Sequence, residues 1–273
     1  MSKEQAAGAG SALAARVRHA EPVMGTVVSF DVPASARSDG SLDAAVRWLH
    51  WVDRVFSPFR PDSDVSLLAS GAVSVADCVP EMAEVIEECA FVSELSGGYF
   101  TTSPWGRFDP TGYVKGWAVE RAAAILSAAG SASHLVNGGG DVQCAGGRQA
   151  PGESGQDAAA VPWRVGVADP FDRSRLAVVV EAADCAVATS GTAERGAHIV
   201  NPRAGKPAAG LASLTVTGPS LALADACATA AFAMGPALAR DWTESLDGYE
   251  AYAITETGET WQTSGFAART AGC

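Results

Sequence analysis

"LADACATAAFAMG", residues 223–235, is a run of small apolar residues that keeps one carboxylate, Asp225, and one hydroxyl, Thr229. Four positions apart, the two lie one turn above each other on the same face of a helix. A plain reading makes them a cap or a solvent-facing edge. A chemical reading makes them oxygen ligands of a hard cation, since carboxylate, hydroxyl and carbonyl oxygens suit Mg²⁺ or Mn²⁺. Such a pair is common by chance, so the remainder of the chain has to decide.

Working outward, "MGTVVSFDVP" (24–33) alternates apolar and polar residues and predicts a strand ended by Pro33. "SLDAAVRWLHWVDRVFSPF" (41–59) carries Leu42, Ala45, Val46, Leu49, Val52 and Phe56 at helical spacing and stops before Pro58. "VPEMAEVIEECAFVSELSGG" (79–98) predicts a second amphipathic helix closed by Gly97 and Gly98. "GWAVERAAAILSAAG" (116–130) predicts a third. Short β-like runs follow at "HLVNGGGDVQCAG", "WRVGVADP", "LAVVVEAADCAVATSG" and "LASLTVTG", and "YEAYAITETGETWQTSGF" predicts a closing hairpin. Strands and helices mix without regular alternation, which predicts an α+β fold of mixed sheets packed with helices. Residues 1–20 are expected to be a flexible N-terminal segment, and 21–273 one domain of two closely packed α+β halves. "RQAPGESGQDAAA" (148–160) reads as a surface loop between strands.

Bulk properties narrow the function classes. The chain has 273 residues, 48% of them hydrophobic, and a net charge of −12. That acidity argues against nucleic-acid binding and against anionic membranes. It leaves room for an anionic ligand held locally by a metal ion and backbone dipoles. Cys78, Cys89, Cys144, Cys185, Cys227 and Cys273 show neither C-x-x-C nor Cys/His ligand spacing, which predicts buried thiols rather than zinc or a disulfide framework. With no signal-peptide core in the first residues and no membrane-length apolar run, a cytoplasmic protein is expected.

Three further stretches could carry chemistry. "FDPTGYVKGWAVERA" (108–122) sets a tight turn before a helix whose first turn is read to hold Lys115, Gly116 and Trp117, a place where N–H groups, dipole and ammonium favour a phosphate. "NGGGDVQCAGG" (137–147) fits neither the Walker pattern nor the dinucleotide fingerprint, and a structural turn is the better reading. "ATSGTAERGAHIVNPRAGKP" (188–207) is rich in hydroxyls and then offers His198, Asn201, Arg203 and Lys206. His198 reads as a structural histidine, or as a general base if a metal and phosphates stand beside it.

Taken in order, Met-Gly-Thr, "SPFRPDSDVSLL", "SGGYF", "DPTGYVKGWAVE", "NGGGD", "ATSG…HIVNPRAGKP" and "ADACATAAFAMG" closely resemble the FAD:protein FMN transferases, the ApbE-type flavin transferase family. The resemblance covers about residues 22–236, and "ATSG…HIVNPRAG…ADACATA…MG" is its most specific part. It implies an ApbE-like flavin transferase fold and Mg²⁺-dependent transfer of FMN from FAD to a Thr or Ser hydroxyl of an acceptor protein, with release of AMP. It further implies Asp225 and Thr229 as metal ligands, with the carbonyl of Val114 as a third. Met24, Phe59, Tyr99, Phe100 and Thr101 would line the flavin and adenine pocket. Thr111, Lys115 and Trp117 would contact the dinucleotide. His198, with Ile199 beside the flavin, would take the acceptor's proton, so His198 and Asp225 are the expected catalytic pair. Two alternatives use the same residues: a Mg²⁺-dependent FAD pyrophosphatase giving FMN and AMP, and a non-catalytic FAD-binding module.

Overall fold

The computed structural model describes residues 15–149, 160–192 and 199–270. The chain enters with two antiparallel strands, β1 (Arg16–Val23) and β2 (Thr26–Pro33), then α1 (Ser35–Ser38), α2 (Ser41–Phe56), α3 (Asp64–Ser70), α4 (Pro80–Leu95) and α5 (Thr111–Ala128). Strands β3 (His134–Gly138), β4 (Asp141–Ala145), β5 (Arg148–Gln149), β6 (Ala160–Val161), β7 (Trp163–Ala168), β8 (Leu176–Ala182) and β9 (Ala186–Gly191) follow. After β10 (Val200–Asn201), β11 (Lys206–Pro207) and β12 (Leu211–Gly218) come α6 (Leu221–Met234) and α7 (Pro236–Glu244), then β13 (Glu250–Thr255) and β14 (Thr260–Gln262).

Eight of these strands form one sheet in the order β1-β2-β3-β4-β9-β12-β13-β14, antiparallel throughout. The chain is therefore α+β. Helices α5 and α6 pack on the sheet, α2 packs on α5 and β1, α4 packs on α5 and α6, and all share a large apolar core with the sheet, from Val28 and Phe30 to Phe232. The β7–β8 hairpin and a 3₁₀ turn at Phe266–Arg269 bury a smaller core around Val142, Trp163, Val180 and Phe266.

Helix α6 is enclosed almost all round, which explains why its residues are small and apolar. Its start is fixed twice: Ser220 Oγ accepts from Leu223 N, and Glu120 of α5 accepts from Ser220 Oγ (2.8 Å) and Ala222 N (2.7 Å). Helices α5 and α6 cross so closely that a Cβ on Gly116 would stand 2.6 Å from the Leu221 carbonyl and 2.8 Å from Asp225 Cβ. Glycine is what permits the crossing.

Three expectations are corrected. Residues 16–20 form the first half of β1 instead of a flexible segment, because their backbone pairs in register with Asp31 to Pro33 and neighbours in β2; residues 1–14 lie outside the described residues. Helix α5 begins at Thr111, five residues earlier than the pattern predicts. Asp109 Oδ1 accepts from Thr111 N (3.0 Å) and the Pro110 carbonyl from Tyr113 and Val114 N, so the Asp-Pro-Thr-Gly turn is itself the helix start. Lys115 consequently sits in the second turn, not the first. Helices α3 and α7 were not read from sequence. The predicted loop 148–160 leaves from β5 and returns at β6, which pair with each other; residues 150–159 lie outside the described residues. Cys78, Cys89, Cys144, Cys185 and Cys227 are free thiols. No helix among the described residues is long and apolar enough to cross a membrane.

Candidate active site

The two helices and the sheet deliver polar groups to one place. From α5 comes Lys115; from α6, Asp225 and Thr229; from the start of β4, Asp141; and from β9, Thr189 and Ser190. Asp141 and Asp225 are almost completely buried, at 1% and 2% exposure. The Lys115 ammonium pairs with Asp141 Oδ2 and stands 3.6 Å from Asp225 Oδ1. The second oxygen of each carboxylate is held by backbone: Asp225 Oδ2 accepts from Gly116 N at 3.0 Å, and Asp141 Oδ1 from Thr189 N at 2.9 Å. One turn along α6, the Thr229 hydroxyl lies 3.4 Å from that of Ser190. The opening pair is thus neither cap nor solvent edge.

Burial is the largest influence on Asp225 and raises its pKa above the usual carboxylate range. Lys115 pulls it back down, while Asp141 pushes it further up. A buried carboxylate in this state gains from any further positive charge. The converging carboxylate and hydroxyls are hard oxygens of the kind that fits Mg²⁺, and Val114 stands two residues before Gly116, whose N–H holds Asp225. Among the described residues no three His, Cys, Asp or Glu side chains gather as a metal cluster.

Tight approaches bring other expected residues to the rim. Gly112 in the first turn of α5 would place a Cβ 3.3 Å from the Phe100 ring and 3.7 Å from Thr229, so the Tyr99–Thr101 stretch adjoins the cluster. Phe100 is buried and Tyr99 and Thr101 half-buried; Thr111 opens α5 above them. Met24 and Gly25 form the β1–β2 turn with φ of 57° and 69°. That turn lies beside the Gly139–Gly140 turn delivering Asp141, where a Gly139 Cβ would come within 2.6 Å of Thr26 Oγ1. Arg203, on the β10–β11 hairpin, donates to the Gly97 carbonyl (2.6 Å) and covers the Tyr99 ring at 4.7 Å. Ile199 is buried at the base of this hairpin, its carbonyl accepting from Ala208 N.

One expected ligand contact is turned away from the cluster. Trp117 is 3% exposed and turned into an aromatic group with Trp48 and Phe56, its indole N–H donating to Glu84. Two positions past Lys115, it faces the other side of α5. Phe59 is 91% exposed. His198 lies outside the described residues. Conversely, sequence reasoning missed Asp141 and Ser190. The carboxylate following a Gly-Gly turn was the available signal for the former, and the hydroxyl-rich "ATSG" for the latter.

Compared with known proteins, the sequence matches the model of the ApbE family over residues 24–105 and 102–253. The chain belongs to the ApbE family. It is 31% identical over 222 residues to a protein of Rhodobacter capsulatus named FAD:protein FMN transferase, and 28% identical over 159 residues to one so named in Escherichia coli. Those alignments take in 76% and 55% of this chain, but only 37% and 42% of the relatives' length. Among solved structures, the ApbE protein of Thermotoga maritima superposes with a TM-score of 0.80 at 22% identity, covering 94% of this chain and 100% of that one. The apo flavinyl transferase ApbE of Pseudomonas stutzeri gives 0.77 at 25% identity, covering 95% and 98%. The ApbE fold is therefore shared along nearly the whole chain.

Proposed function

We propose that this protein transfers FMN from FAD to a Thr or Ser hydroxyl of an acceptor protein, releasing AMP. The observation that carries the reading is the convergence of Lys115, Asp225 and Thr229 in a chain of the ApbE family. The names of its relatives supply the substrate class. In the reaction the acceptor Oγ bonds to the FMN phosphorus while the pyrophosphate bridge breaks. AMP leaves with the bridging oxygen, and the hydroxyl proton passes to His198.

Asp225, Thr229 and the Val114 carbonyl would hold Mg²⁺, which supplies charge neutralisation for the pyrophosphate. This chain's own part is positioning. Lys115 meets phosphate charge from α5 with its side chain part-exposed, and backbone at both glycine turns lets a planar ligand approach. Met24, Tyr99, Phe100, Thr101 and Ile199 shape the pocket for the ring systems, with Thr111 at its helix-start edge. An imidazole is the side chain suited to removing an alcohol proton at neutral pH.

The test incubates purified protein with FAD, Mg²⁺ and a small FMN-binding acceptor domain, following AMP and the flavin fluorescence of the denatured acceptor band. A fluorescent band that is lost in Asp225→Ala and His198→Ala supports the proposal. AMP without labelled acceptor would mean a pyrophosphatase, and tight FAD binding without AMP a binding module.

A further inference from the structure

Lys115 is expected to meet FAD, yet its ammonium is committed to carboxylates. It pairs with Asp141 and lies 3.6 Å from Asp225 Oδ1. Asp225 Oδ2 accepts from Gly116 N–H, while Oδ1, the oxygen turned the other way, is the one that Lys115 faces. We infer that Lys115 is a built-in counter-ion that occupies the cation position of the metal-free protein and is displaced from Asp225 when a divalent ion binds.

The inference rests on the reading that Asp225 and Thr229 hold that ion. Two nearly buried carboxylates cannot stay unbalanced without large cost. With both ionised, Asp141, Asp225 and Lys115 sum to one negative charge, and a lone ammonium is an incomplete match that a divalent ion improves. The lysine stem is long and flexible, and the side chain is 28% exposed, so it has room to leave. Asp141, held by Thr189 N–H, keeps its hold on the ammonium as it swings. Metal entry thereby turns Lys115 from a structural ion into a cation offered to a phosphate. Such coupling orders the reaction, with metal first and dinucleotide second.

Lysine occurs only at Lys3, Lys115 and Lys206, so the side-chain ammonium signals of ¹⁵N-lysine-labelled protein can be assigned with Lys3→Arg and Lys206→Arg. Mg²⁺ alone is titrated into the FAD-free protein, with binding followed by calorimetry in parallel. The expected result is a shift of the Lys115 signal that saturates with the calorimetric curve while those of Lys3 and Lys206 stay put. In Lys115→Met, removal of a like charge should tighten Mg²⁺ on the order of tenfold. Binding of Mg²⁺ with the Lys115 signal unmoved would overturn the inference, as would unchanged or weaker binding to Lys115→Met. If Mg²⁺ binds neither protein, the metal reading of Asp225 and Thr229 fails as well. Failure of flavin transfer alone, with the Mg²⁺ response intact, would touch only the proposed reaction.

Discussion

The backbone N–H of Gly116 in α5 donates to Asp225 Oδ2 in α6 at 3.0 Å, across the closest part of the helix crossing. One residue therefore sets both the packing and the orientation of the buried carboxylate. Gly116→Ala would drive a methyl group against the Leu221 carbonyl and Ala222 Cα, at 2.6 and 3.1 Å, and backbone of a packed helix cannot yield cheaply. The variant should lose about 1–3 kcal/mol of stability in urea unfolding. It should lose Mg²⁺ affinity too, because the crossing can open only by moving Asp225. A variant with wild-type midpoint and affinity would show that the crossing is looser than described.

Asp225→Asn separates stability from chemistry. Burial raises the pKa of this carboxylate, so the charged form is held at a cost in the fold. An amide of the same shape can still accept from Gly116 N–H, and Lys115 keeps Asp141. The thermal midpoint should stay near that of wild type or rise, while AMP release falls by on the order of 100-fold or more, beyond what loss of an outer partner of a metal ligand costs. A collapse of stability together with activity would make Asp225 chiefly structural.

Much of this site could be read in the sequence because its parts are local. Asp225 and Thr229 stand four apart in an apolar helix, and that pattern survives without knowledge of neighbours. What escaped reading depends on partners far along the chain. Asp141 matters because Lys115, in another element, reaches it, and Trp117 is buried because Trp48 and Phe56 close around it. The Asp-Pro-Thr-Gly turn at 109–112 reads as preceding the helix, which puts the expected start of α5 too late, and nothing in the sequence marks Gly112 and Gly116 as close approaches. In the fold they are where Thr229 and Asp225 come close. The strand β1 was missed since it is an edge whose exposed residues carry little apolar alternation.

Met24 sits at a left-handed φ of 57°, followed by Gly25 at 69°, between the paired residues Val23 and Thr26. Two-residue hairpins of this hand favour Asn-Gly, and a non-glycine residue bears a cost on the order of 1 kcal/mol. The proposed function gives a methionine there a role, since its side chain would stand beside the FAD. Met24→Asn should preserve or raise the unfolding midpoint and weaken FAD binding measured by fluorescence titration. Equal FAD affinity would remove Met24 from the pocket.

Arg203 ties the hairpin after Ile199 to the Tyr99 stretch, through a hydrogen bond to Gly97 and its place over the Tyr99 ring. A cation–π contact and one charge-assisted hydrogen bond at an exposed site together amount to about 1–2 kcal/mol. Arg203→Ala should accordingly raise KM for FAD about 5- to 30-fold, with a smaller effect on kcat. Arg203→Lys should recover part of the loss through the ring contact. If Arg203→Ala lowers kcat with KM untouched, the residue acts on the reaction and not on the pocket wall.

His134 in β3 is fully buried, with Nδ1 3.1 Å from Ser131 Oγ, and burial lowers its pKa below the ordinary 6.5. The folded imidazole therefore stays neutral at a pH where the unfolded one has taken up a proton. Between the folded pKa and about 6.5 the unfolded state binds more protons, so stability rises with pH across that window. The contribution is complete above about pH 6.5 and is lost as pH falls toward the folded value. Urea midpoints at about pH 7.5 and about pH 5.5, compared between wild type and His134→Gln, isolate this group because the carboxylates are common to both proteins. The wild type should lose more stability on acidification than the variant, and equal losses would mean that His134 charges freely within the fold.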